Sequence, residues 1–139
     1  MEQQITKFYK YGLVFIKDNK ILLCEPYAFK DLILPGGTRE ENENYLENLK
    51  REILEELGDK AILDTDSLTY IGNFADVAAG RTYRLVEIEA YLGNVNGELK
   101  ASSEIKQLHW FSISDDYEAL SPIIRNKILP YLIENKYIQ

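Results

Sequence analysis

The segment from Gly36 to Asp59 carries far more acidic than basic side chains. Its bases are Arg39, Lys50 and Arg51, whereas its acids are Glu40, Glu41, Glu43, Glu47, Glu52, Glu55, Glu56 and Asp59. Like charges one helical turn apart repel, and each such pair costs roughly 0.2–0.5 kcal/mol. Carboxylates are hard oxygen ligands that suit Mg²⁺, Mn²⁺ or Ca²⁺ and disfavour Zn²⁺. The segment therefore indicates either a solvated acidic helix or a site for a divalent cation.

The spacing of these residues predicts a helix with two stripes. Asn44 is a suitable N-cap, Glu47 stands three residues later as in a capping box, and Gly58 is a suitable stop. At about 100° per residue an apolar stripe forms, and its members are Leu46, Leu49, Ile53 and Leu57. A flanking acidic stripe contains Glu52, Glu55 and Glu56. These three carboxylates are expected to converge near the edge of the core.

A solvated helical face predicts opposite charges at i,i+4. Arg51 fits that pattern in part, since it can pair with Glu47 and with Glu55. Glu52 and Glu56, however, have no basic partner on their own side of the helix. The acidic stripe therefore keeps the metal hypothesis open beside the solvated face.

The glycine pair Gly36-Gly37 lies just before this helix. Two glycines let the backbone turn tightly and approach a ligand closely. Mg²⁺ takes few protein carboxylates and completes its shell with water and substrate phosphates. A glycine turn that leads into an acidic helix therefore favours a site for metal-bound phosphate.

The rest of the chain must supply the elements that position this helix, and its pattern is rich in strands. The pair Asp18-Asn19 predicts a turn between two N-terminal strands. Further strands are expected in the segments SLTYIGNFADV, TYRLVEIEAYLG and IKQLHWFSI, with a turn at Asn94–Gly97. This pattern predicts an α/β domain, a sheet covered by helices.

The C-terminal segment predicts a second helix. Ser121 is its expected cap and Pro122 its first residue. Pro130 should interrupt or kink it, because proline lacks the N–H that a helix interior needs. A short helix is also expected within the preceding segment SDDYEAL.

Composition limits the classes of function. A chain of 139 residues, 45% hydrophobic and 28% charged, is expected to form a single globular domain over residues 1–139. The net charge of −7 argues against a large nucleic-acid surface. The lone Cys24, the lack of an apolar run of about 20 residues and the absence of a secretion-like N-terminus favour a cytoplasmic protein that does not enter a membrane.

At the acidic helix the sequence resembles the Nudix hydrolase family, whose box is G-x5-E-x7-R-E-U-x-E-E-x-G-U, where U is a bulky apolar residue. The positions that fit are Gly37, Glu43, Arg51, Glu52, Ile53, Glu55, Glu56 and Gly58. Asp59 stands where an apolar residue is usual, so a packing contact after the helix should differ. The preceding LILPGG is also typical of the family.

The resemblance implies a Nudix-type α/β/α sandwich around a mixed β-sheet and metal-dependent hydrolysis of a nucleoside diphosphate derivative. It implies that Glu52, Glu55 and Glu56 bind Mg²⁺, with Mn²⁺ as the alternative, and that Arg51 holds these carboxylates in place. Glu43 would brace the loop or reach a further metal through water. Glu104, in a polar loop before a late strand, is expected to complete the site as a further ligand, with Glu98 as its competitor.

The substrate is expected to be a small nucleotide. Family members often carry a base after the second strand, but Glu25 stands there in this chain. Phosphate contacts are therefore assigned to Gly36, Gly37 and Arg39, with Arg81 and Lys30 as further candidates. The leading choice is a nucleoside triphosphate, intact or damaged, cut to monophosphate and pyrophosphate.

Other functions remain open at this point. ADP-ribose or another nucleotide sugar is the second substrate class. A nucleotide-binding sensor without activity and a calcium-binding or structural acidic helix are alternatives of other classes. A homodimer is compatible with the family.

Overall fold

The computed structural model describes residues 6–139, apart from the side chains of residues 81–83. The strands in this part of the chain are β1 Thr6–Val14, β2 Ile16–Lys17, β3 Lys20–Pro26, β4 Gly36–Thr38, β5 Ala61–Ala78, β6 Arg81–Gly97 and β7 Ile105–Phe111. Helix α1 spans Tyr45–Leu57, a 3-10 turn spans Tyr117–Ala119, and helix α2 spans Leu129–Glu134 after a π-helical turn at Ile124–Ile128. No helix among the described residues is long and apolar enough to cross a bilayer.

The strands form two sheets. The larger sheet has the order β4-β1-β6-β5, and β1 runs parallel to β6 while the other pairs are antiparallel. The smaller sheet has the order β2-β3-β7 and is antiparallel. Strands β5 and β6 form a long hairpin whose register shifts at several places. The larger sheet is thus mixed, as predicted.

Apolar side chains of the strands alternate between the two faces of the sheets. Leu13 and Leu22 join the core under α1, whereas their neighbours Val14 and Ile21 join the core under the C-terminal helix. A strand sends successive side chains to opposite faces, so two apolar faces require a helix on each side. The α/β fold with helices on both sides of a mixed sheet is therefore confirmed.

Helix α1 begins and ends where the sequence predicts. The Asn44 side chain accepts a hydrogen bond from the Glu47 N–H at 2.9 Å, and the Glu47 carboxylate accepts one from the Asn44 N–H at 3.3 Å. Gly58 ends the helix with a φ of 95°, a conformation that favours glycine. The predicted apolar stripe lies in the core, with Leu49, Ile53 and Leu57 fully buried and Leu46 half-buried.

Of the three predicted turns, one is confirmed and two are wrong. The glycine pair Gly36-Gly37 lies in strand β4, paired with β1, and does not form a turn. Asp18 and Asn19 form a turn with φ values of 51° and 63°. Asn94–Gly97, in contrast, belongs to β6, where it pairs with the segment Ala61–Asp64 of β5. Ladder hydrogen bonds to a distant strand therefore override the local turn preference of the Asn and Gly residues.

The C-terminal helix begins at Pro122, and Pro130 changes its geometry as predicted. Residues 122–134 are helical throughout, but the turn before Pro130 widens to a π-helix. The N–H of Leu129 bonds to the carbonyl of Ile124, five residues back. Pro130 has no N–H to donate, and a widened turn is one way for a helix to pass such a residue. Ser121 lies at the cap position, but its buried hydroxyl makes no hydrogen bond.

Candidate active site

Three carboxylates from two separate parts of the chain meet at one place. Glu52 and Glu56 project from α1, and Glu104 comes from the loop between β6 and β7. One oxygen of each lies within 4.8 Å of the others. Glu52 and Glu56 are buried, at 8% and 2% exposed, whereas Glu104 is exposed. The group therefore has a buried side on the helix and an open side on the loop.

Backbone hydrogen bonds hold the Glu104 loop against the end of α1. The N–H of Lys100 donates to the carbonyl of Leu57 at 2.8 Å, and the N–H of Ser102 donates to the carbonyl of Glu56 at 3.1 Å. The last carbonyls of a helix lack partners within the helix and need such donors. The carbonyl of Glu104 in turn accepts from the N–H of Tyr27 at 3.1 Å. Helix and loop are thus fixed together at the carboxylates.

The glycine pair positions both buried acids. Gly36 donates its N–H to Oε1 of Glu56 at 2.8 Å. A Cβ on Gly37 would lie 2.3 Å from Oε1 of Glu52, so no larger residue fits without moving that carboxylate. Gly36 has a φ of 135°, which also favours glycine. Strand β4 therefore supplies a donor at one acid and free space at the other.

Arg51 joins the acids on the other side of the group. Its guanidinium donates two hydrogen bonds to Glu43, at 2.9 and 3.0 Å, and one to Oε1 of Glu52 at 2.9 Å. It also lies 3.5 Å from Glu40 and 3.6 Å from Glu55. The hydrogen bonds from Arg51 lower the pKa of Glu43 to about 2, and the same contacts raise the pKa of Arg51 above its ordinary value. Arg51 is therefore charged and held in place.

Burial dominates the electrostatics of Glu56. It raises the pKa of this carboxyl to about 8, against the lowering effect of the hydrogen bond from Gly36. The charges of Glu52 and Glu104 raise it further, and the charge of Lys10 lowers it. Burial also raises the pKa of Glu52, although Arg51 opposes the rise. Without a cation, these carboxylates are crowded and poorly solvated.

The donor set fits a hard divalent cation. All three groups offer carboxylate oxygen, which suits Mg²⁺ or Mn²⁺. A cation would relieve the mutual repulsion of Glu52, Glu56 and Glu104 that the pKa of Glu56 reflects. The exposed side of the group, at Glu104, leaves room for water and phosphate ligands. The residues present therefore fit the cation that the sequence implies.

Other predicted site residues lie elsewhere. The Glu55 carboxylate is not in the group; its side chain is 51% exposed and contacts Arg51. The Arg39 guanidinium lies over the rings of Tyr9 and Tyr11, at 4.7 and 5.7 Å from their centroids. The side chain of Arg81 falls outside the described residues, and its predicted role stays a prediction.

A pocket of about 560 Å³ opens beside the carboxylates. The three acids, Gly36 and Gly37 line it. Apolar side chains also line it, among them Phe8, Phe29, Ala78, Val86 and Ile123. The pocket therefore has both acidic and apolar walls.

Two residues at the site were not identified from the sequence. Asn48 is fully buried and donates to the carbonyl of Thr38 at 3.0 Å and to Glu43 at 2.8 Å, so it ties β4 to α1. Lys10 lines the pocket from β1. Asn48 could have been identified from the sequence, because it is a polar residue beside the predicted apolar stripe. The place of Lys10 in the pocket wall depends on which strand β1 pairs with.

Glu56 should give the metal-free protein a particular pH dependence. Its folded pKa, about 8, lies above the ordinary value of 4.5. The folded state therefore keeps a proton that the unfolded chain loses, and this contribution to stability is complete below pH 4.5 and is lost as pH rises to about 8. We expect the free energy of unfolding in EDTA to fall between pH 5 and pH 8.5, with a slope of at most about 1.4 kcal/mol per pH unit from this group.

Denaturant titrations of wild type and Glu56→Gln across this range measure the effect. The variant lacks the titrating carboxyl, so its pH profile should be flatter. Glu43 does not interfere, because its lowered pKa confines its contribution to acid pH. Parallel profiles for the two proteins would contradict the expectation.

Comparisons with known proteins agree with this geometry. The family model described as NUDIX domain matches residues 10–132. The E. coli ORF135 protein has a TM-score of 0.67 at 22% identity, covering 96% of this chain and 94% of that chain. A MutT NUDIX hydrolase from Burkholderia pseudomallei has a TM-score of 0.65 at 23% identity, covering 80% and 87%.

A third structure is a bifunctional NMN adenylyltransferase/ADP ribose pyrophosphatase from Francisella tularensis, complexed with AMP and a manganese ion. It has a TM-score of 0.63 at 16% identity, and the match covers 93% of this chain and 42% of that chain. No curated protein matches the chain. At these sequence identities the similar solved structures support only the fold of this chain. The family model supports its membership of the NUDIX domain family.

Proposed function

The chain belongs to the NUDIX domain family and is a hydrolase of nucleoside diphosphate derivatives, and we propose that its substrate is a nucleoside triphosphate, intact or damaged. The products are the nucleoside monophosphate and pyrophosphate. Water adds to phosphorus, the anhydride P–O bond breaks, and pyrophosphate leaves.

One observation carries this proposal: the acidic group and several apolar and aromatic side chains line the same pocket. A nucleotide has the same division, with charged phosphates at one end and a flat, weakly polar base at the other. Apolar walls with few polar groups are typical of small-molecule sites, and aromatic rings such as Phe8 and Phe29 pack well against a base. The phosphates would lie at Gly36 and Gly37, beside the carboxylates.

Each acidic residue has a role in the proposal. Glu52, Glu56 and Glu104 hold the divalent cation, Mg²⁺ or Mn²⁺. When bound, the cation neutralises phosphate oxygens and makes water a better nucleophile. One of the helix carboxylates accepts the proton of the attacking water. Glu55 joins the site as a further ligand or as this base, which requires its half-exposed side chain to leave its contact with Arg51.

Arg51 acts by positioning these acids. Its hydrogen bonds to Glu43 and Glu52 fix both carboxylates relative to α1 and β4. Ligand carboxylates held by such hydrogen bonds keep the geometry that a cation requires. Asn48 supports the same arrangement through its bond to Glu43.

ADP-ribose or another nucleotide sugar is the second candidate substrate. The similar fold of the Francisella tularensis protein, whose description names an ADP ribose pyrophosphatase, favours it. The same group of carboxylates would serve, because the bond to be cleaved is again a phosphate anhydride. This reaction would release AMP and ribose 5-phosphate, so the products separate the two candidates.

A product analysis tests the proposal. The protein, with Mg²⁺, is incubated with ordinary and oxidised nucleoside triphosphates and with ADP-ribose, and the products are separated by ion-exchange chromatography. Monophosphate and pyrophosphate in equal amounts are expected. AMP with ribose 5-phosphate from ADP-ribose would favour the second candidate, and release of orthophosphate from the triphosphates would contradict the predicted bond. Nucleotide binding without any hydrolysis would indicate a sensor.

Glu104→Gln should slow turnover by about tenfold or more, with a smaller change in KM. The reason is that Glu104 supplies the third oxygen of the cation site from outside the helix. Steady-state kinetics at several Mg²⁺ concentrations measure the effect.

Glu98→Gln is the matched control. Glu98 lies in the same loop, is exposed, and pairs with Lys60 at 3.7 Å. Its loss should change kcat by less than about twofold. Equal kinetics for Glu104→Gln and wild type at every metal concentration would remove Glu104 from the site.

A further inference from the structure

Lys10, on β1, is one of the residues that line the pocket. Phe8 and Gly12 share its side of the strand and line the pocket too, as does the intervening Tyr11. Lys10 pairs with Thr38 of β4 on one side and with Ile88 of β6 on the other. Tyr11 pairs with Gly37, so Lys10 stands one residue along the strand, about 3.4 Å, from the partner of the glycine pair in β4.

Few other cations reach this pocket. Of the basic residues whose side chains are described, only Lys10 and Arg84 line it. The guanidinium of Arg84 lies over the ring of Phe8, 5.5 Å from its centroid. The guanidinium of Arg39 makes cation–π contacts with the rings of Tyr9 and Tyr11 on β1. Of the two described basic residues that line the pocket, Lys10 is therefore the one for which the structure gives no aromatic partner among the described residues.

Glu25, near the end of β3, does not add a charge to the pocket wall. It is not among the residues that line the pocket, and it pairs with His109 at 2.8 Å and with Lys106 at 3.9 Å. Those contacts join β3 to β7 in the smaller sheet.

We propose that Lys10 binds the phosphates of the substrate from the wall of the pocket that holds the carboxylates. This inference rests on the proposed function and deepens it. Lys10 lines the same pocket as Glu52, Glu56 and Glu104, so a nucleotide whose phosphates lie at the carboxylates would share that pocket with its ammonium group. Because Glu40, Glu52, Glu56 and Glu104 also line the pocket, phosphate oxygens not neutralised by the cation would face negative charge without it. Lys10 supplies the compensating positive charge.

Lys10→Met tests the proposal, because methionine keeps most of the apolar stem and removes the charge. We expect KM for the nucleotide to rise by about tenfold or more, with a smaller change in kcat, as for the loss of a hydrogen bond to a charged group. Titration calorimetry with inorganic pyrophosphate and Mg²⁺ should show weaker binding by a similar factor. Lys10→Arg should restore most of the nucleotide KM and most of the pyrophosphate affinity, which a merely structural role would not predict.

Lys7→Met is the matched control. Lys7 lies on the same strand but on the opposite face, where it pairs with Glu87 at 2.8 Å. The Lys7→Met substitution should change KM and pyrophosphate binding by less than about twofold. Thermal melting of all variants establishes that they fold, and Lys10→Gln replaces Lys10→Met if the latter does not.

The outcomes separate this inference from the proposed function. Wild type that binds pyrophosphate through Lys10 but hydrolyses no nucleotide would overturn the function and support the inference. Hydrolysis and pyrophosphate binding that survive in Lys10→Met would overturn the inference alone. Loss of pyrophosphate binding in Arg84→Gln, with normal binding in Lys10→Met, would assign the phosphates to Arg84 instead. Wild-type protein that neither binds pyrophosphate nor hydrolyses a nucleotide would overturn both the inference on Lys10 and the proposed function.

Discussion

Glu56→Gln is expected to lower metal-dependent hydrolysis by at least about 100-fold while the protein stays folded. Glutamine keeps the size of the side chain and the oxygen that accepts the hydrogen bond from Gly36. It removes the negative charge that a cation would need beside Glu52 and Glu104. The change therefore acts on cation binding and leaves the packing of α1 intact.

Kinetics across a range of Mg²⁺ concentrations and thermal melting in EDTA provide the measurements. The melting temperature without metal should stay level or rise, because a crowded acid has been neutralised. Glu134→Gln, an exposed residue at the end of α2, controls for the loss of one surface charge. Wild-type turnover at limiting Mg²⁺ would show that Glu56 is not a ligand, and a collapse of stability would favour a structural role for the acidic helix.

Arg51→Ala is expected to lower activity by about 10–100-fold. The guanidinium lies within 4.0 Å of carboxylate oxygens from Glu40, Glu43, Glu52 and Glu55. Without it these acids repel one another, and Glu52 loses the hydrogen bond that fixes its orientation. Some loss of activity should be recovered at high Mg²⁺, because the cation itself draws the ligands together.

Two further variants make this test specific. Lys50→Ala, an exposed neighbour on α1, should leave activity within about twofold of wild type. Arg51→Lys should recover activity only in part, because an ammonium cannot reproduce the two parallel hydrogen bonds to Glu43. Normal turnover in Arg51→Ala would assign Arg51 to the solvated surface.

Local features of the structure were predictable from the sequence. The bounds of α1 follow from Asn44, Glu47 and Gly58, whose effects act within a few residues of chain. The burial of Leu49 and Ile53 follows from helical periodicity in the same way. The family resemblance added the fold and the expectation that Glu104 approaches the helix.

Features that depend on distant pairing were less predictable. The polar segment Asn94–Gly97 has the composition of a turn, and only its partner strand makes it part of β6. Whether Lys10 faces the pocket or the other side depends on the register of β1 against β6. Helical spacing placed Glu55 with Glu52 and Glu56, but spacing alone does not fix the rotamer that directs Glu55 to Arg51.

The hydrogen bonds between the end of α1 and the Glu104 loop have a consequence for local motion. An exposed loop normally exchanges its amide hydrogens through small, frequent fluctuations. The amide hydrogens of Lys100 and Ser102 are instead bonded to the carbonyls of Leu57 and Glu56. They are released only when the last turn of α1 separates from the loop. The end of α1 that carries Glu56 and the loop that carries Glu104 thus belong to one cooperative unit of local unfolding, although they lie far apart in the sequence.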